Sequence, residues 1–454
     1  MAFASKQCPE CRAACVIDDE QPPKIREWHF TRLQKRKFKY GFPVWASPAI
    51  AIVEGSPMAF FGGYDNTLHA LDLAAKQERW FKVTNGPITA PPAVGSVEDI
   101  PVVFFGSSDR SVYAHLAYDG TLLWSRELVE PTPTIGQSIV CAPLVQGDTL
   151  YVTCFSYDRS FARNDQRGWL FALKKDTGRL LWKVEVSQGP VSSPTGAYVD
   201  GKYTVFVAAR KGLLSAIDVS QTEPARLWEF QMPHEVMGSP AVLEGDRPML
   251  FLGSKFGNII ALDARTGERI WKRMAGNWID NTACIGEIGG EPVVFVGSHD
   301  YNVYAFKAID GEFIWRRHLG GEVFSAPAFF YLEGEPALTV ASLDNHTYVL
   351  NATDGKVTTS YYTGKPIWDT ISKGDVLWGS PAVLQAGRQT AVLTGSYNGH
   401  FYVLPVYGKS ELRAKVRSAS SLWIWLIVVA GVFLLVVLPI VIILGPVKSP
   451  EKRS

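Results

Sequence analysis

The residues best spaced for chemistry stand at the start of the chain, where Cys8-Pro9-Glu10-Cys11 is followed by Cys15. Two cysteines separated by two residues form one side of a tetrahedral zinc site, and Cys15 or His29 supply further ligands under that reading. No second such pair follows. Redox-active or lipidated thiols, or the ordinary cysteines of a polar tail, account for the same residues. Elsewhere catalytic patterns are sparse. The eight histidines are scattered, and no HExxH, GxSxG or phosphate-loop motif occurs. Cys141 and Cys154 flank a turn near Gln146-Gly147-Asp148 and are expected to face each other across adjacent strands, either as a reduced pair in the core or as a disulfide.

What positions these residues is a repeat. Gly238 to Trp271 holds three short apolar runs, a turn and a fourth run ending near tryptophan, which reads as four strands. An anchor residue recurs at Pro48, Pro92, Pro143, Pro194, Pro240, Cys284, Pro327 and Pro381, 43 to 54 residues apart. Eight copies of four strands at that period specify an all-β, eight-bladed β-propeller. The eighth copy stops after its third strand, and Lys24 to Phe30 (KIREWHF) supplies the expected fourth, so the N-terminal strand closes the ring. A small residue precedes each anchor and a second one, Ala261 in the fifth copy, marks the third strand; both permit close packing.

The predicted layout is a cysteine-containing tail (1–23), the propeller (24–408), a basic linker (409–421), a transmembrane helix (422–444) and a polar tail (445–454). Residues 422–444 are 23 uncharged residues. As a helix they extend about 34 Å, against a hydrocarbon core of about 30 Å. Flanking positive charges are nearly balanced. With no export signal read at the N-terminus, the helix is expected to insert after synthesis, leaving the propeller in the cytosol. The net charge is +1, from 45 basic and 44 acidic residues, which excludes a concentrated nucleic-acid surface.

Ala261-Leu-Asp263-Ala-Arg-Thr266-Gly267-Glu268-Arg-Ile-Trp271 resembles the tryptophan-docking motif of the pyrroloquinoline-quinone (PQQ) repeat propellers. Ala172 to Trp182 is similar, and Trp80, Trp124, Trp228 and Trp315 recur in register. The resemblance implies that the tryptophans pack between blades. It also implies one of two functions: a quinone-dependent dehydrogenase holding PQQ and Ca²⁺ on the axis, or a non-enzymatic platform for other proteins. The adjacent Cys-Cys pair typical of the dehydrogenases is absent. The expectation is therefore a membrane-anchored platform that binds other proteins and needs no cofactor, with the dehydrogenase or another enzyme holding a cofactor on the axis as alternative. Three residues before the anchors, and in the loops beside them, stand Trp45, Met237, Asp280, Asn281, Phe324 and Trp378, the candidate partner-binding rim of the channel mouth. The same side chains would otherwise plug the axis as core.

Overall fold

In the fifth blade the strand Met249–Gly253 (MLFLG) is buried at every position, whereas Arg269–Met274 buries only Trp271 deeply. A sheet covered on both faces reads as a continuous apolar run, and its outermost strand reads as charged with one deep residue. Each blade repeats this gradient because each is sandwiched between two others. The computed structural model describes residues 36–39, 44, 46–129, 135–158, 167–187, 189, 191–363, 380–386, 389–396 and 400–408. It places them in eight antiparallel sheets. The first strand of each blade faces the axis: Ala241–Leu243 lies against both Thr195–Val199 and Cys284–Ile288, and Ala382–Ala386 lies against Ala49–Val53.

The small residue of the third strand has a specific task. Ala70, Ala114, Ala172, Ala216, Ala261 and Ala305 stand opposite Trp80, Trp124, Trp182, Trp228, Trp271 and Trp315 on the fourth strand, with a register shift immediately after each alanine. Such a bulge twists the outer strand and re-aims its side chain, here toward the next blade. Trp271 Nε1 donates to Ala308 O at 2.8 Å, and Trp80, Trp124, Trp228 and Trp315 make the equivalent bond to Ala117, Lys175, Ala264 and Ala352. The indole lies on the turn glycine of that next blade. Gly311 has φ +72°, and a Cβ there would stand 2.7 Å from Trp271. Glycine is needed twice over, for the positive φ and for the seat. In the seventh blade, where Thr359 replaces the tryptophan, the opposite residue is Val349.

The closing strand differs from expectation. Arg36–Lys39, rather than Lys24 to Phe30, pairs with His400–Val406, with Arg36 opposite Val403. An N-terminal strand thus closes the ring, and Lys24 to Phe30, expected in that place, lies outside the described residues. The third blade also departs from four strands. Thr149–Asp158 is ten residues long and pairs with both Leu144–Gln146 and an added strand, Ile135–Val140. There Val140, not Cys141, faces Cys154. Cys141 and Cys154 belong to core clusters on different sides of the sheet, because neighbouring residues on a strand point oppositely. The expected cross-strand pair is not formed.

Blade-to-blade hydrogen bonds run near the axis through the small residues before the anchors. Ser380 N donates to Ser47 Oγ at 2.8 Å, joining the last blade to the first, and Ala326 N donates to Ser380 Oγ at 2.9 Å. Ser239 N donates to Thr282 Oγ1 at 3.0 Å. Sequence reasoning assigned these positions to steric smallness; several serines are also acceptors.

In the first blade, buried His69 bridges Glu78 Oε1 at 2.6 Å and Asp65 Oδ2 at 3.0 Å. Burial alone would lower its pKa, but the bonds to Asp65 and Glu78 outweigh this and hold it above the ordinary value. A raised folded-state pKa contributes stability that is complete below the unfolded imidazole's value of about 6.5 and is lost as pH rises through the folded value. The difference in melting temperature between wild type and His69→Gln is therefore expected to be wide at pH 6 and narrow at pH 9. A difference independent of pH would show that the imidazole acts by packing alone.

No helix long and apolar enough to cross a membrane occurs among the described residues. Residues 422–444, Cys8, Cys11 and Cys15 lie outside them.

Candidate functional site at the channel mouth

In a four-stranded meander the loops entering each blade and the loops between its second and third strands share one end of the ring. On that end, between the fourth and seventh blades, polar and aromatic side chains of the described residues come together. Asp280 and Asn281 precede the inner strand Cys284–Ile288, Phe324 precedes Ala328–Leu332, and His299 comes from the loop after Glu291–Gly297. His299 is the hub. Its ring centroid is 3.8 Å from that of Phe324 and 5.4 Å from that of Trp278. Its Nε2 lies 3.5 Å from Asp280 Oδ2, and its Nδ1 lies 3.8 Å from Glu322 Oε2.

Electrostatics around this hub are set by desolvation. Burial, helped by the nearby Lys255 charge, holds the His299 pKa down to about 4, so the imidazole is neutral at pH 7. Burial pushes the Asp280 carboxyl up to about 6, with Lys255 and Arg210 opposing the rise. Burial also raises Glu322. Lys255 and Arg210 reach Glu235 Oε2 at 3.5 and 3.6 Å, and Lys255 Nζ stands 5.1 Å from the centre of the Trp278 ring.

An aromatic patch adjoins the polar cluster. Phe256 is 61% exposed and stacks on His234 at 4.3 Å; Trp278 and Tyr301 are 44% and 42% exposed. Of the rim residues expected from sequence, Met237 is half-buried and Phe324 is half-buried against His299. Asn281 is an internal stitch, 5% exposed, whose Nδ2 donates to Gly297 O and Val323 O. Trp45 and Trp378 lie outside the described residues. Sequence reasoning missed Trp278, Lys255, Phe256 and Arg210 and left His299 among the scattered histidines. The available signal was departure from the repeat: His299 fills the variable place in Ser298-His299-Asp300, where other blades read Ser107-Ser108-Asp109 and Ser342-Leu343-Asp344.

Among the described residues no three His, Cys, Asp or Glu side chains converge to hold a metal ion. Asp280 and Glu322 flank an imidazole rather than meeting each other. That donor set does not fit a Ca²⁺ ion, which takes six to eight oxygens.

Comparison with known proteins agrees with the fold. A family model described as outer membrane protein assembly factor BamB matches residues 28–273 and 255–420. Among curated proteins, a BamB of Nitrosomonas eutropha is 28% identical over 149 residues, 33% of this chain and 30% of its own length. A 1-butanol dehydrogenase (cytochrome c) of Thauera butanivorans is 32% identical over 105 residues, 21% of this chain and 14% of its own length. The chain thus spans under a third of the length of either. The crystal structure of BamB from Moraxella catarrhalis superposes with a TM-score of 0.55 at 17% identity, covering 82% of this chain and 96% of that one, a likeness of fold. With the family model spanning most of its residues and the docking tryptophans in register, the chain belongs to the PQQ-repeat β-propeller family that includes BamB.

Proposed function

We propose that the protein is a non-catalytic docking platform, held to a membrane by residues 422–444, that binds other proteins at the mouth between its fourth and seventh blades. The observation that carries this reading is the patch of Phe256, Trp278 and Tyr301, three large aromatic side chains 42–61% exposed on one end of the ring beside a buried polar cluster. Aromatic side chains held on rigid strand-flanking loops are the usual anchors of protein interfaces, and leaving them in water has no folding rationale. The BamB relatives support the platform kind. The 1-butanol dehydrogenase supports the other, a quinone-dependent enzyme.

Absorbance titration of the purified protein with PQQ and Ca²⁺ separates the two. The platform reading expects no stoichiometric cofactor spectrum; a saturable one-to-one spectrum would sink it.

A further inference from the structure

The mouth carries a buried carboxylate with no cationic ion-pair partner among the described residues, which aromatic docking alone does not use. The Asp280 side chain is 7% exposed, and among the described residues its ion-pair neighbour is His299; Glu322, 34% exposed, has the same neighbour. His299 is neutral at pH 7 and lends neither carboxylate a counter-charge. Lys255 and Arg210 pair with Glu235 and act on Asp280 only through space, without offsetting its burial. Asp280 Oδ1, Asn281 Oδ1 and His299 Nε2 are buried with no hydrogen-bond partner. Buried polar atoms are nearly always paired, and an orphan is destabilising. Here those of Asp280 and His299 belong to neighbouring side chains, with the partly exposed carboxylate of Glu322 beside the same ring.

Their chemistry is one-sided. Both oxygens are acceptors, and Nε2 accepts when the proton sits on Nδ1 toward Glu322. The flanking walls are the rings of Phe324 and Trp278. An anion would meet like charge. A donor-rich cation with a flat face would satisfy the carboxylates and stack on the rings at once, and guanidinium has that shape. Resting on the docking function proposed above, we infer that the mouth between the fifth and seventh blades receives an arginine side chain from a loop of the partner protein, its N–H groups bonding Asp280 and Glu322 and its plane lying against Phe324 or Trp278.

The test uses the full chain and acetyl-Gly-Arg-Gly-amide, with the citrulline peptide and putrescine as comparisons, read by calorimetry. Saturable binding with a dissociation constant on the order of a millimolar is expected for one anchored side chain, at least ten-fold weaker for citrulline. Asp280→Asn should weaken binding of the arginine peptide ten-fold or more while leaving the melting temperature unchanged or higher, since it removes a buried carboxylate without a cationic ion-pair partner; Glu322→Gln should weaken it several-fold. Equal affinity for the citrulline peptide, or no change in either variant, overturns the inference. Tighter binding of putrescine would make the occupant a free polyamine and overturn it too. If a photo-crosslinker at Phe256 captures a partner in cells while the peptide fails to bind, the arginine anchor is wrong and the docking face stands.

Discussion

Replacing Trp271 by alanine is expected to destabilise the propeller by about 3–5 kcal/mol, the range for truncating a large buried aromatic. The indole is 5% exposed, lies 5.7 Å from the ring of Phe251 by centroids, and gives its Nε1 proton to the next blade. Truncation opens a cavity between two blades and leaves Ala308 O without its donor. Gly311→Val should approach the same loss from the other side, because its Cβ would enter the space of the indole and its φ of +72° suits no β-branched residue. Trp278→Ala is the control: an indole 44% exposed on the rim should cost under about 1 kcal/mol. Urea unfolding midpoints decide the matter. A loss below about 1 kcal/mol for Trp271→Ala would mean that the blades are not held by these tryptophans.

Two N-terminal truncations should differ sharply. Removing residues 1–30, which include Trp28, leaves Arg36–Lys39 in place against His400–Val406 and is expected to change the melting temperature little. Removing residues 1–39 strips the eighth blade to three strands, frees the edge of His400–Val406, and forfeits ladder bonds worth about 1 kcal/mol each. An exposed edge strand of that length invites pairing between molecules, so aggregation at lower temperature is expected as well. The reverse order, with the shorter truncation already destabilising, would return the closing role to Lys24 to Phe30.

The ring itself was legible because one physical demand recurs eight times. A sheet that must bury both faces writes apolar inner strands, a small residue opposite each docking indole and a glycine turn to seat the indole of the blade before, as in Ala261, Trp271 and Gly267, which seats Trp228. The closing strand was misplaced because tryptophan served as its marker. The residue that stands opposite Val403 is Arg36, in a segment with no tryptophan to mark it. Cys141 and Cys154 were misread because a ten-residue strand with an added partner shifts the pairing by one residue, which is enough to send a side chain to the opposite face. The mouth was only half legible. Asp280 and Phe324 stand at fixed offsets from their anchors, whereas His299, Lys255 and Trp278 arrive from loops 20 or more residues apart whose convergence no spacing rule reports.

The central claim is that one end of the ring, between the fourth and seventh blades, is the docking face. A photo-crosslinking residue placed singly at Phe256 and Trp278, and at Tyr198 on the opposite end as a control that is 58% exposed, tests it in intact cells. The account predicts adducts to the same protein from positions 256 and 278 and none from 198. Adducts from 198 with none from 256 or 278 would contradict it.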